Sequence, residues 1–442
     1  MTTPLPRRSF LIGGAFASGA ALAACSGTAT TTSSASSTTA MPVEPSPNTT
    51  ERVSDAEQAG SLVAYLAMRA AQAGSYGIAG AIIENATGRV VHAMENTVLK
   101  RLSNGDLFTY DPTAHGERQL AFWYFANKTA LRLPESKDLT VVTSLDPCAM
   151  CTGTLLTSGF NVGVVAMDTF SGINYQQDDR FTDLPPNAAD LARATFGYYA
   201  VENGRNYAGG LSTAFRDTKL TSTTFADCET IYQDSATNVR NTRSGEDTPT
   251  DQLTDPSKVS AIVNAYRAVW PAAFSFTIND YRRPNAELKR VLEDLVKSTP
   301  GAKNAVAFID TFGNVVLAAP DTFDVSPVHT AFMNVSQGYA TTRFNLMNDA
   351  GTQAVAKSSL VSPKWGTFVW LYALDPGATT TIEDLGAYGS TVESKIPVTT
   401  PSNFQYFNPP RSGTEAELKA VAAALPPLYS QLIQINPERI IA

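Results

Sequence analysis

The chain has 442 residues with 33 Lys and Arg against 41 Asp and Glu, a formal net charge of −8. At 43% hydrophobic and 17% charged residues it can build one large or two ordinary domains. An acidic balance with no basic run and no aromatic-basic interleaving disfavours a polymeric nucleic acid as partner, and nothing after Ala24 is long and apolar enough to span a bilayer.

The first residues read as an export signal. Pro6-Arg7-Arg8-Ser9-Phe10-Leu11 is a twin-arginine start, followed by a short stretch of small and apolar residues through Ala24. Leu22-Ala23-Ala24-Cys25 resembles a bacterial lipobox, which makes Cys25 the expected lipidation site. Residues 1–25 are therefore expected as a signal peptide. Residues 26–50, rich in Ser, Thr, Ala and Pro, are expected as a flexible tether with too few large apolar side chains to bury a core. The mature protein would then be exported and lipid-anchored at the bacterial envelope, and twin-arginine export of a folded protein fits a metal loaded beforehand.

Ile82 to Val91 reads as strand, turn, strand, with Thr87-Gly88 near the bend; Asn96 follows, by itself a turn residue capping a strand end. His92 reads as a packed or surface histidine. Next, the turn-forming run Asp111-Pro112-Thr113-Ala114, with Thr113 as expected N-cap, opens into a helix whose first turn carries His115 and Glu117. Leu139 to Leu145 is apolar and β-branched like a strand. Asp146 and Pro147 then suit the N-cap and first position of a helix bearing Cys148 and Cys151. The i, i+3 spacing puts both sulfurs on one side of a helix start, where thiolate is favoured over thiol.

These residue types form a chemical set. Zinc takes thiolate sulfur and imidazole nitrogen, and a catalytic site uses three protein ligands with a fourth position open to water. His115, Cys148 and Cys151 supply the three. Glu117, two residues beyond the histidine, is near enough to move a proton while staying off the metal. The bland alternatives are a solvated helix start for His115 and Glu117, and a buried pair or disulfide for the cysteines.

The H-x-E…P-C-x-x-C pattern resembles the zinc-dependent nucleobase and nucleoside deaminases, closest to the guanine, cytosine and tRNA-adenosine branch, over approximately residues 55 to 175. The resemblance implies a three-layer α/β/α cytidine-deaminase-like fold with a mixed central sheet, and Zn2+ held by His115, Cys148 and Cys151. It implies Glu117 as general acid/base, Asn96 bonded to the base, and Gly116 and Pro147 as further substrate contacts. Two departures stand out: Gly116 where alanine is commoner, and Asp146 where glutamate usually precedes the proline.

Cys228 is left over and expected buried. Tyr175 to Asn241 is expected as a lid or substrate-choosing insertion, while Leu191–Thr195 and Val259–Ala268 show helical apolar spacing. Trp123, Phe170 and Tyr175 are aromatic candidates for stacking on a base, each more at home in a core. A polar stretch, residues 243–251, marks the expected boundary between a deaminase domain (51–243) and a second domain (256–442).

That second domain reads as a degenerate copy. Val306 to Val316 repeats the strand, glycine turn, strand pattern; Ser326-Pro327-Val328-His329-Thr330-Ala331 parallels Asp111 to Glu117 with alanine in place of the acid; Leu374-Asp375-Pro376-Gly377-Ala378-Thr379-Thr380 parallels Leu145 to Cys151 without sulfur. The copy keeps His329 and loses the other ligands. Deaminases of this branch commonly complete their sites with a neighbour, so a pseudo-dimer of the halves, or a homodimer, is expected.

The expected activity is hydrolytic deamination of a small nucleobase or nucleoside, of guanine or cytosine type, releasing ammonia. Rival readings are a surface-anchored binding protein with a structural zinc and an exported C-x-x-C dithiol oxidoreductase; a toxin-like deaminase acting on nucleic acid fits the tether and charge poorly.

Overall fold

The hairpin around Gly88 belongs to the first of two five-stranded sheets. The computed structural model describes residues 51–177, 180–199, 201–202, 205–206, 215, 220–242, 248–373, 377–392, 395–397, 401–408 and 415–441. The twin-arginine motif, Cys25 and the tether lie outside the described residues.

Helix α1 (Ala56–Ala73) opens on Asp55, whose side chain accepts from the Gln58 N–H, and closes on Gly74 in the left-handed region. β1 (Ala79–Glu84) and β2 (Val90–Glu95) pair antiparallel. A short hairpin, β3 (Leu99–Arg101) with β4 (Leu107–Thr109), leads into α2 (Gly116–Leu131). Then come β5 (Leu139–Leu145), α3 (Ala149–Ser158), β6 (Asn161–Ala166), α4 (Pro186–Thr195) and β7 (Phe196–Tyr198). The pair β8 (Val201–Glu202) and β9 (Arg205–Asn206) precedes α5 (Ser222–Thr242).

The sheet order is β2-β1-β5-β6-β7, with β1 antiparallel to both neighbours and β5, β6 and β7 mutually parallel. β5 and β6 are buried along their whole length, which is why β5 reads as a largely apolar and β-branched run. Alternate side chains serve opposite layers: Ile82, Val141 and Val164 join α2 and α3, whereas Ala81, Ile83, Val142 and Val165 face α1 and α5. This is the expected three-layer mixed-sheet fold. Of the stretch from Tyr175 to Asn241, expected as a lid or substrate-choosing insertion, the described residues supply α4, edge strand β7 and covering helix α5.

After α6 (Ser260–Val269) and α7 (Ala286–Ser298), strands β10 (Ala305–Ile309) and β11 (Val315–Pro320) form a second hairpin. α8 (Ala331–Asn348), α9 (Gln353–Ser359), β12 (Thr367–Leu371), α10 (Ala378–Val392), β13 (Phe404–Tyr406), α11 (Glu415–Ala424) and β14 (Glu438–Arg439) follow. The second sheet, β11-β10-β12-β13-β14, repeats the first in order and strand direction.

The copies agree at the level of single turns. Gly88 has φ 70° and its carbonyl accepts from the Val53 N–H at 2.9 Å; Gly313 has φ 84° and its carbonyl accepts from the Ile278 N–H at 2.7 Å. A Cβ at either would stand about 2 Å from the carbonyl oxygen of its partner, Val53 or Ile278, so only glycine fits.

One detail of the alignment is corrected. The N-cap of α2 is His115 and that of α8 is Thr330, so His329 stands one residue before the place of His115. The counterpart of Glu117 is then Phe332 rather than Ala331. Phe332 stacks on Trp370 at 4.9 Å between ring centroids and Trp370 stacks on Phe404 at 3.8 Å, so aromatic core fills the second site. Thr380 takes the place of Cys151, and Leu374, Asp375 and Pro376 lie outside the described residues.

The halves meet through α3 and α10. Gly153 lies against Glu383 and Gly386 against Met150, where an added Cβ would stand 2.6 and 2.0 Å from the facing backbone nitrogens. Thr154 donates to Glu383 at 2.8 Å, and Gln337 donates to Asp111 at 2.7 Å. Of the expected boundary, residues 243–247 lie outside the described residues. No helix among the described residues is long and apolar enough to cross a membrane.

Candidate metal centre

Two helix starts converge on one point. His115 immediately precedes α2, and its carbonyl accepts from the Gln119 N–H at 2.9 Å; Cys148 immediately precedes α3, and its carbonyl accepts from the Thr152 N–H at 2.8 Å. Both caps differ from expectation, and for the same reason. The Asp111 carboxylate takes the Thr113 N–H and hydroxyl at 2.8 and 2.7 Å, which spends Thr113 on a turn before the helix. Asp146, expected as the cap of α3, accepts instead from the Tyr198 hydroxyl at 2.8 Å and the Asn174 N–H at 2.9 Å. Pro147 therefore lies ahead of α3, its carbonyl accepting from the Ile173 N–H at 2.8 Å.

One ligand atom each from His115, Cys148 and Cys151 lies within 4.8 Å of the others. The Cys148 sulfur is 3.6 Å from His115 Nδ1. Tetrahedral sulfur and nitrogen ligands at zinc bond lengths stand about 3.6 Å apart, so the donors fit a divalent ion of this kind in type and spacing. Among the described cysteines none is paired in a disulfide.

Glu117 is 2% exposed, in the first turn of α2. Thr143 on β5 donates to its Oε1 at 2.9 Å, and the Cys151 sulfur lies 3.6 Å from its Oε2. One oxygen is thus tethered to the sheet, and the other faces the ligand cluster. Burial pushes the Glu117 carboxyl up, partly countered by His115. The Cys151 S–H directed at Cys148 holds the Cys148 thiol well below its usual range, aided by His115, whereas burial and the Cys148 sulfur push Cys151 well up. Burial opposes a charged imidazole at His115, yet Cys148 raises it overall.

Asn96 is 1% exposed beside the end of β2. Its Oδ1 accepts from the Ser75 hydroxyl at 2.6 Å and the Val98 N–H at 3.1 Å, while its buried Nδ2 has no hydrogen-bond partner among the described residues. Gly116 allows close packing of α2 on the hairpin: a Cβ there would stand 2.9 Å from the Met94 carbonyl oxygen. His92 is packed as expected, stacked on Trp123 at 3.9 Å between ring centroids, which occupies Trp123 as well. Phe170 is 44% exposed, and the Tyr175 hydroxyl donates to the Ala424 carbonyl. Cys228 is buried in α5, its thiol pushed up to about 12 by burial. Tyr429, near the sulfurs, had no local signal in the sequence.

No protein-family model matches the chain, and no curated protein matches it significantly. Among solved structures it is similar to one from a study of A-to-I editing by tRNA:A34 deaminases at the wobble position. That match is 22% identical, covers 26% of this chain and 78% of the other, and has a TM-score of 0.21. It is also similar to guanine deaminase from Nitrosomonas europaea, 19% identical, covering 43% of this chain and 89% of the other, with a TM-score of 0.27.

Proposed function

We propose that this chain is a hydrolytic deaminase of a small nucleobase or nucleoside, and that Glu117 moves its protons. The observation that carries the reading is the meeting of one imidazole, two sulfurs and one carboxylate oxygen facing them at two adjoining helix starts. A divalent ion, in this donor set zinc, would be held by His115, Cys148 and Cys151, and when bound supplies the Lewis acidity that makes water a nucleophile near neutral pH. Thr143 keeps the Glu117 carboxylate oriented by holding Oε1. Glu117 Oε2 takes one proton from water as the water oxygen bonds to the amino-bearing ring carbon, and passes it to the ring nitrogen. It then takes the second proton from the new hydroxyl and passes it to the amine, the C–N bond breaks, and ammonia leaves a ring carbonyl behind.

The Asn96 Nδ2 suits a carbonyl oxygen or ring nitrogen of the substrate, because burial without an acceptor is costly until something fills the place. Gly116 and Pro147 flank the ligands on the two helix starts and are assigned to the wall of the substrate site. The acidic chain favours a free base or nucleoside over a nucleic acid. Export and lipid anchoring at Cys25, and a pseudo-dimer of the halves 51–243 and 256–442, complete the proposal.

The test is metal content of the purified chain together with ammonia release from a panel of purines, pyrimidines and their nucleosides. About one equivalent of zinc and turnover of at least one compound are expected. Bound zinc with silence across the panel would favour a binding protein, and a preformed Cys148–Cys151 disulfide a dithiol oxidoreductase.

A further inference from the structure

Tyr429 belongs to a π-helical turn, Leu428–Ile433, at the end of the second half. Such turns recur at functional sites. The side chain is 1% exposed, its ring lying against Gly389 of α10, where an added Cβ would stand 2.4 Å from Cε1. Among the described residues its buried hydroxyl makes no hydrogen bond of good geometry, a costly state. After burial itself, the group that acts most on this phenol is the Cys148 sulfur, both as a charge and as a hydrogen-bond neighbour, followed by the Cys151 sulfur.

The placement is fixed from two sides. The Leu428 N–H donates to the Phe170 carbonyl at 2.9 Å and the Tyr175 hydroxyl to the Ala424 carbonyl at 3.3 Å. That same loop pairs Gly172 with Cys148, and its Ile173 N–H donates to the Pro147 carbonyl. On the other side, Gly386 of α10 abuts Met150, two residues into α3. The C-terminal segment is thus clamped against the loop and the helix start that carry Cys148.

We propose that the second half completes the metal centre through Tyr429, a positioning residue whose O–H turns to the Cys148 sulfur when that sulfur is an ionised ligand. The inference rests on the metal-site reading above. It gives the degenerate copy a role: it has lost its own ligands and supplies a donor to those of its neighbour. A charge-assisted bond of this kind fixes the ligand and lowers the electron density it donates.

The experiment loads the full chain, as wild type, Tyr429→Phe and Tyr388→Phe, with Co2+ and measures affinity by chelator competition and the sulfur-to-metal charge-transfer band. Tyr388 is the control, because its buried hydroxyl donates to Asn403 at 2.8 Å, within the second half. Tyr429→Phe should weaken metal binding about 10-fold and shift the band. Its metal-free melting temperature should hold or rise, since a buried hydroxyl without a hydrogen bond of good geometry is lost. Tyr388→Phe should lower the metal-free melting temperature and leave the band in place. Unchanged affinity and band in Tyr429→Phe overturn the proposal, as does failure of that variant to fold. A wild type that binds no Co2+ overturns instead the metal reading beneath it.

Discussion

Gly386 in the second half packs on Met150 in the first so closely that a Cβ at Gly386 would stand 2.0 Å from the Met150 backbone nitrogen. Met150 lies between the two cysteines of the candidate metal centre. The joint between the copies is therefore also the wall behind the sulfurs. Gly386→Ala should force α10 away from α3 and weaken zinc binding by about 10-fold or more, although no ligand is touched. Zinc titration of the variant checks this, and wild-type affinity would mean that the seam and the site are independent.

Glu117→Gln keeps the shape of the side chain and its bond to Thr143 while removing the proton acceptor. Ammonia release should drop by about 10²- to 10⁴-fold with zinc retained. Cys148→Ala and Cys151→Ala should each lose zinc and activity together. Metal analysis alongside the ammonia assay separates the two classes of variant, and a fully active Glu117→Gln would remove Glu117 from the mechanism.

The paired glycine turns offer a test of the repeat. Gly88→Ala and Gly313→Ala each combine a left-handed backbone with a Cβ about 2 Å from a carbonyl oxygen. Each should cost about 2 kcal/mol or more of stability. Urea denaturation measures both; a neutral result at either would show that the preceding segment moves aside freely.

Burial pulls the His92 pKa down to about 4, its ring stacked on Trp123. With the folded pKa below the unfolded value of about 6.5, the unfolded chain takes up the proton first as pH falls. The stabilisation is complete above about pH 6.5 and is lost towards pH 4, on the order of 2 kcal/mol after allowance for partial exposure. Asp310, which burial raises to about 6, acts in the opposite direction, so the comparison is between proteins. His92→Phe should lose less stability than wild type between pH 7 and pH 4.5. Parallel urea profiles for the two proteins would count against this assignment.

His115, Glu117, Cys148 and Cys151 were legible from residue type and spacing because each pair lies within one turn of a helix start, where sequence neighbours are spatial neighbours. β5 and the two glycine hairpins were legible as well, from β-branched apolar runs and glycine turns that are local in the chain. The caps were not, because Asp111 and Asp146 had several possible partners and only the fold decided among them: Asp111 bonds Thr113, while Asp146 is claimed by Tyr198 and Asn174, both remote in sequence. Strands as short as β7 and β14 carry too few residues to show a period. The one-residue offset of His329, the aromatic filling of the second site and the approach of Tyr429 to the sulfurs likewise belong to the tertiary structure. Local chemistry is written in local sequence, whereas contacts between distant segments depend on how the sheets and helices close around one another.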